Sequence, residues 1–433
     1  MRKTKICVIG LGYIGLPTSV MFASSKNYVI GVDINKRAIE ILNEGNIHIE
    51  EPNLETLYKR VVNKGYFRAQ SKPEEAEAFI IAVPTPNRND KYKSCDLSYI
   101  ISALKSIKPY LRKGNIVIVE STIGPRTIDD IIAPFIEDCG FKIGEDIFLA
   151  HCPERVLPGQ IIKEMIDNDR IIGGYTDECA RKAAELYRTF VKGEIILTNS
   201  KTAEMSKLME NTFRDVNIAL ANELTKVCNA LEIDVLDVIK MANKHPRVNI
   251  HQPGPGVGGH CLAVDPYFIV EKAPELSRII SLSREINCSM PDYIVQKVGR
   301  LIDGIQNPKV AVFGITYKGN IDDIRESPAL KVIDMFKKRG YRISIHDPHV
   351  KLRNIPLTSG ERAVEGADLL LILADHDEFK KGNLINIINK MRTPIVFDTK
   401  NTIKLWQGYN EVKSKGSSCN NKRVIIKHMG NIY

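Results

Sequence analysis

The chain contains no CxxC pair. Its nine cysteines are odd in number and scattered, which excludes a zinc ribbon and a thioredoxin-type motif and points to a reducing, cytosolic compartment. No uninterrupted apolar run reaches transmembrane length. One stretch imitates a secretory signal, MRKTK followed by ICVIGLGYIGLPTSVMFA. It is cut by Gly10, Gly12, Gly15 and Pro17 and runs directly into VIGVDIN, so a strand–loop–helix–strand unit explains it and a signal does not. No helix-turn-helix, finger or stacking-aromatic pattern accompanies the formal charge of +9. Lys and Arg are spread along the chain, with one basic cluster at the end, KSKGSSCNNKRVIIKH, to which no role is assigned. Nucleic acid and membrane are therefore not expected partners.

What is present is ordinary globular material: 433 residues, 43% apolar and 26% charged, enough for two or three domains. The two ends of the chain resemble each other. KICVIG (Lys5–Gly10) matches KVAVFG (Lys309–Gly314), and YVIGVDIN (Tyr28–Asn35) matches YRISIHDP (Tyr341–Pro348). AEAFIIAVPTP, ending at Pro86, matches ADLLLILADH from Ala367, and NIVIVEST (Asn115–Thr122) matches TPIVFDTKN (Thr393–Asn401). Short apolar strands alternating with helix-period sequence predict an α/β fold with two Rossmann-like, doubly wound parallel-sheet domains. Between them, Thr202–Ala242 has no Gly, no Pro and no strand signal, and its apolar residues recur at helical spacing. One very long helix, or two in line, is expected there, with little of it exposed. The divisions read as 1–200, 201–300 and 301–433.

Gly10, Gly12 and Gly15 form G-x-G-x-x-G between a strand and a helix. The first permits a tight turn, the second lets a pyrophosphate approach the backbone, and the third lets helix and strand pack closely. Asp33, 18 residues after Gly15, ends the next strand, where an acid accepts from a ribose 2′-hydroxyl and repels a 2′-phosphate, favouring NAD over NADP. Thr85 and Thr122 follow later strands, either beside the cofactor or as helix caps. The C-terminal half lacks the fingerprint and reads VFGITYKGNIDDIRESP, with Lys318 and Arg325 where a loop would meet phosphates, plain surface charge being the alternative. It suits the nucleotide part of a substrate better than a second dinucleotide.

Within AEMSKLMEN, Glu204, Lys207 and Asn211 share one helix face, extended by Arg214. An ammonium and an amide one turn apart can hold a developing oxyanion, and a solvated stripe is the alternative. HCPERVLPGQ places Glu154 and Arg155 in a strand-end loop, as a general base with its neighbour or as a plain ion pair. QPGPGVGGHCLAVDP carries Cys261 after Gly256, Gly258 and Gly259. Glycines clear space for a nucleophile, whereas an inert buried thiol is the commoner fate of a cysteine. Asp265 follows four residues later. His260, Cys261 and Asp265 lack zinc-ligand spacing, so no metal is expected.

Together GLGYIGLP, CPERVLPG, AEMSKLMENTFRDVNIALANEL, ANKHPRVNI, GPGVGGHCLAVDPYF and YKGNIDDIRESPA resemble the NAD-dependent nucleotide-sugar 6-dehydrogenases, over nearly the whole chain. Within that family they are most similar to the branch acting on UDP-N-acetyl-D-mannosamine. UDP-glucose members typically carry serine where this chain has His260, whose role is unassigned. The resemblance implies a four-electron oxidation of a C6 hydroxymethyl to a carboxylate with two NAD⁺ per turnover, for surface polysaccharide synthesis. Lys207 and Asn211 would hold the C6 oxygen, Asp265 would assist removal of the alcohol proton, Cys261 would form a thiohemiacetal and then a thioester, and Glu154 would activate the hydrolytic water beside Thr122. The cofactor would meet Gly10, Gly12, Tyr13, Ile14, Gly15, Asp33, Arg37, Pro84, Thr85, Thr122, Lys318 and Arg325. The UDP-sugar would meet Arg155, Val156, Lys207, Asn211, Arg214, His245, Arg247, Gly254, Gly258, Gly259, Tyr317 and Lys318. A homodimer through the central helix, with higher oligomers open, is also implied. UDP-N-acetylglucosamine and UDP-glucose are the alternative substrates. A two-electron hydroxyacid dehydrogenase and a non-catalytic NAD sensor are the rival functions.

Overall fold

The computed structural model describes residues 3–351, 355–406, 418–419 and 422–432. Much of the basic C-terminal cluster lies outside the described residues. The chain divides into two compact units, residues 1–210 with 267–276, and 211–266 with 277–433.

The first unit holds an eight-stranded sheet: β1 (Lys5–Ile9), β2 (Tyr28–Val32), β3 (Phe67–Gln70), β4 (Ala78–Ile81), β5 (Asn115–Val119), β6 (Ile147–His151), β7 (Arg170–Gly174) and β8 (Ile195–Asn199), in the order β3-β2-β1-β4-β5-β6-β7-β8. The first six are parallel in the Rossmann order. The last two depart from the expected all-parallel sheet: β7 pairs antiparallel with β6 through Ala150 and His151, and β8 follows β7 in parallel. The central strands β1 and β4 are apolar on both faces, as in the buried runs KICVI and AFII, as expected where helices cover both sides of a sheet.

The second unit holds β9 (Lys309–Phe313), β10 (Arg342–His346), β11 (Leu369–Ile372), β12 (Ile395–Asp398) and, after a two-residue hairpin (β13, Ser418–Cys419; β14, Lys422–Arg423), β15 (Ile425–His428). The sheet order is β10-β9-β11-β12-β15. All four sequence pairs of the internal repeat are strands, and they occupy corresponding places, β2-β1-β4-β5 against β10-β9-β11-β12. The correspondence extends to single bonds. Gly10 (φ +93°) donates to Val32 O at 2.8 Å, and Gly314 (φ +84°) donates to His346 O at 2.9 Å.

The Gly- and Pro-free stretch forms helix Ser200–Ala230 and helix Val235–Ala242. What stops the first without glycine or proline is Glu232 in the left-handed region (φ +55°), with Ile233 N reaching back to Cys228 O at 2.8 Å. Asp234 starts the second by accepting from the backbone N–H groups of Leu236 and Asp237. The expectation that little of this region is exposed fails: Phe213, Leu220, Val227, Leu231 and Met241 are all exposed.

Candidate active site

In the first unit the three glycines of the fingerprint differ in what a methyl group would meet. At Gly10 a Cβ would lie 2.4 Å from Ala82 O, and at Gly15 it would lie 1.8 Å from Gly10 O. Both are therefore fixed by the fold. At Gly12 a Cβ would meet nothing within 4 Å, so that position is open for a ligand to approach the backbone. The following helix Gly15–Ser24 has no side-chain cap and no acid in its first turn, leaving its positive end for phosphate. Asp33 accepts from Leu11 N through Oδ2 and from Asn35 N through Oδ1, both at 2.8 Å. An ionised carboxylate has about four lone-pair sites, so it can still take two ribose hydroxyls. These residues fit an NAD molecule. Tyr13 and Arg37 are exposed beside them, and Ile14 is half-buried. Asn35 caps the helix that carries Arg37.

Pro84 is exposed and Thr85 buried. The Thr85 hydroxyl donates to Thr122 O at 2.6 Å, so it ties two strand-end loops together rather than capping a helix. The Glu154–Arg155 ion pair does not form. Glu154 pairs with Arg170 and accepts from Arg155 N at 2.8 Å, while the Arg155 guanidinium bonds Glu210 at 2.6 Å. Val156 packs against the core of this unit. Sequence reasoning missed Arg170 and Glu120. Arg170 lies 3.5 Å from Glu120 and stacks on the Tyr187 ring at 4.4 Å. The two Glu120 oxygens accept from Tyr187 Oη (2.6 Å) and Thr18 Oγ1 (2.9 Å). Burial pushes the Glu120 carboxyl up to about 7, with Arg170 opposing and Glu154 adding to the rise. Lys207 is half-buried, and Glu204 turns away to hold Arg126 N and Ile128 N at 2.6 and 2.8 Å. His151, at the end of β6, is pushed down to about 4, chiefly by burial and also by the Lys207 charge. Its Nδ1 bonds Val119 O at 2.8 Å.

In the second unit Asn211 and Asp265 come together. Asn211 Nδ2 donates to Asp265 Oδ2 at 2.6 Å, and both side chains are buried. Cys261 is exposed, and its carbonyl accepts from Val264 N (3.0 Å) and Asp265 N (2.8 Å), which sets Asp265 as the first residue of a helix. The glycines before Cys261 do not leave a vacant space. A Cβ on Gly258 would lie 2.6 Å from Glu326 O and 2.7 Å from Tyr317 Cβ. A Cβ on Gly259 (φ +86°) would lie 2.8 Å from the Tyr317 ring. The room is taken by Tyr317, so the glycines allow the loop to dock. Gly259 N also donates to Arg325 O at 3.0 Å. The Arg325 guanidinium is exposed and forks onto Asp323 at 2.7–3.0 Å, which raises its pKa most, with smaller contributions from Tyr317 and Cys261. Burial and Arg325 push His260 below the ordinary imidazole range. Gly254 N donates to Asn222 Oδ1 at 2.9 Å. Arg214, Lys318, His245 and Arg247 are exposed, and Arg247 N donates to His245 Nδ1 at 3.3 Å. A buried ladder below the loop carries no sequence signal: Arg284 pairs with Asp215 at 2.5 Å, and Asn287 bonds both Asp215 and Asn222 at 2.8 Å.

Residues 4–191 match the NAD binding domain of the UDP-glucose/GDP-mannose dehydrogenase family, residues 201–289 its central domain, and residues 311–405 its UDP binding domain. A UDP-N-acetyl-D-mannosamine dehydrogenase of Methanocaldococcus jannaschii is 51% identical over 409 residues, covering 93% of this chain and 94% of that protein. One from Campylobacter jejuni is 51% identical over 391 residues, covering 87% and 96%. The structure of the UDP-N-acetyl-mannosamine dehydrogenase Cap5O from Staphylococcus aureus superposes with a TM-score of 0.89 at 53% identity, covering 99% of both chains.

Proposed function

The chain belongs to the UDP-glucose/GDP-mannose dehydrogenase family, and we propose that within it the protein oxidises the C6 hydroxymethyl of UDP-N-acetyl-D-mannosamine to the carboxylate. The observation that carries the chemistry is the exposed thiol of Cys261, on a glycine loop of the central-domain match that docks through Gly258 and Gly259 against Tyr317 and Arg325 of the segment matched to a UDP binding domain. The choice of sugar is supported by relatives that bear that substrate in their names at about half identity over nearly their whole length.

NAD⁺, bound by the open Gly12 edge and Asp33, supplies the hydride acceptor for each of two oxidations. The residues of this chain do the rest. Lys207 and the Asn211 amide hold the C6 oxygen as negative charge develops on it. Asp265, oriented by Asn211, receives the alcohol proton through water during the first oxidation. The Cys261 sulfur adds to the aldehyde carbon, giving a thiohemiacetal that keeps the aldehyde bound, and a cation near the thiol favours the thiolate that attacks. Loss of the second hydride leaves a thioester on Cys261. Glu154, held by Arg170, directs water at that carbonyl beside Thr122, and the thiolate leaves. One CH₂OH, two NAD⁺ and one water give one carboxylate, two NADH and three protons.

The same reading assigns residues 1–200 to the cofactor, 201–300 to a helical region that forms a homodimer, and 301–433 to the UDP-sugar. No helix among the described residues is long and apolar enough to cross a membrane. The same reading has the reaction run in the cytoplasm and feed an aminouronic acid to a surface polysaccharide. Initial rates with UDP-N-acetyl-D-mannosamine, UDP-N-acetylglucosamine, UDP-glucose and GDP-mannose test the sugar, and higher kcat/KM for UDP-glucose would reject it. NADH formed per product tests the chemistry: two agrees, and one makes the protein a two-electron dehydrogenase. Full turnover by Cys261→Ala contradicts the thioester.

A further inference from the structure

Asp347 in the second unit is the counterpart of Asp33 in the first. Each ends the second strand of its repeat, and each accepts through Oδ2 from the residue after the turn glycine, Leu11 N or Ile315 N, at 2.8 Å. They differ in what remains. Asp33 takes one further backbone donor. Asp347 takes three: His349 N (2.9 Å), Val350 N (3.1 Å) and the His376 ring through Nε2 (3.1 Å). Four donors fill the carboxylate, so where the first half can receive ribose hydroxyls the second is closed by a histidine.

The state of that histidine follows from its bonds. His376 is fully buried. Its Nδ1 accepts from Asn320 N at 2.9 Å, so the proton sits on Nε2 and is shared between Asp347 and Thr316 Oγ1 at 3.2 Å. Thr316 in turn donates to Lys318 O at 2.8 Å, and Asn320 Oδ1 accepts from Asp377 N at 2.8 Å. Gly319 completes the docking, since a Cβ there would lie 2.5 Å from Asp375 O. Every bond of the ring goes to the loop Thr316–Asn320 or to the strand end beneath it. That loop carries Lys318 and Tyr317, and Tyr317 fills the space at Gly258 and Gly259, three and two residues before Cys261. His349 and Glu378 bring ligand-type atoms within 4.8 Å of His376. The two rings are stacked, with centroids 4.7 Å apart, and both His376 nitrogens are committed, so the cluster reads as a latch and not as a cation site.

We propose that His376 is a positioning residue for the nucleotide-sugar: with Asp347 it locks the Thr316–Asn320 loop, and through Tyr317 it sets the glycine loop that presents Cys261. This rests on the reading of Cys261 as the nucleophile. The test compares full-length wild type with His376→Leu, His376→Gln and Thr316→Val. It reads the KM for UDP-N-acetyl-D-mannosamine and for NAD⁺, kcat, and the rate at which iodoacetamide alkylates Cys261, followed by peptide mass spectrometry.

His376→Leu is expected to lower kcat/KM for the sugar about 10- to 100-fold, as a misplaced loop does, to slow Cys261 alkylation, and to raise the KM for the sugar more than the KM for NAD⁺. Glutamine, which returns an N–H toward Asp347, recovers part of the loss. Thr316→Val, isosteric, removes the hydroxyl that joins His376 to Lys318 O and shows the same pattern more weakly. If the leucine variant does not fold, the valine variant decides on the same readouts. Sugar KM and Cys261 alkylation unchanged in the folded variants would overturn the proposal. Absence of wild-type turnover with any nucleotide-sugar would sink the functional reading instead, and the alkylation rates would still report on the latch.

Discussion

Asn211 and Asp265 share one short hydrogen bond, 2.6 Å from Nδ2 to Oδ2, with both side chains buried. The amide thereby orients the carboxylate, so the roles proposed for the two groups are coupled. Asp265→Asn is expected to lower kcat about 10²- to 10⁴-fold, the range for a lost proton acceptor, and Asn211→Ala about 10²- to 10³-fold, as for a lost oxyanion donor. The double variant should fall well short of the product of the two losses. Steady-state kinetics on the three variants measure this, and multiplicative losses would show that the bond couples nothing.

The glycine fingerprint separates into folding and binding positions. At Gly15 a Cβ collides with backbone, 1.8 Å from Gly10 O, while at Gly12 it meets nothing within 4 Å. Gly15→Ala should therefore destabilise the fold by about 1–3 kcal/mol, as overpacking does. Gly12→Ala should melt like wild type yet raise the KM for NAD⁺, with little effect on the KM for the sugar. Thermal melts and the two KM values decide, and equal melting of both variants would refute the division.

Much of this architecture is legible in the sequence alone. The paired strands KICVIG and KVAVFG, and the spacing from Gly15 to Asp33, report local backbone requirements that one strand–turn–helix satisfies by itself. The long helix is legible from its apolar spacing, but its end is not, because Glu232 adopts a left-handed conformation that side chains seldom choose. Arg170 and Arg284 escape a sequence reading because a buried cation is recognisable only through its partners, Glu154 and Glu120 for one and Asp215 for the other. Those partners lie far away in sequence. The role of Gly258 and Gly259 is hidden for the same reason, since Tyr317, which fills the space beside them, comes from another element.

Glu120 predicts a pH dependence of stability. Its folded value, about 7, stands above its ordinary value of 4.5 because it is buried. Below the unfolded value both states hold the proton and no penalty applies. Between the two values the folded state keeps a proton that the unfolded state has released, so stability falls as pH rises through this window and stays lowered above it. Glu120→Gln keeps a hydrogen-bonding side chain and removes the titration. Its melting temperature relative to wild type should therefore be more favourable at about pH 8 than at about pH 5. Calorimetry at both values checks this, and the same difference at both would exclude it.

The exposed apolar face of helix Ser200–Ala230 is where the proposed homodimer is tested. Phe213, Leu220 and Val227 recur every seven residues with exposures of 61%, 51% and 48%, and Leu231 just beyond is 63% exposed. A seven-residue repeat lies along one stripe of a helix, and such a stripe on an isolated chain marks an association surface. In the proposed homodimer a second copy of the chain would supply a matching stripe about a twofold axis, and each substitution would then act twice. Burying one such side chain contributes about 1.5–3 kcal/mol. Phe213→Asp with Leu220→Asp removes two per protomer and adds charges to be desolvated, and is expected to convert a dimer to a monomer at micromolar concentration while the circular dichroism spectrum is retained. Sedimentation velocity distinguishes the outcomes. A monomeric wild type, or a double variant that sediments as wild type does, would place the interface elsewhere.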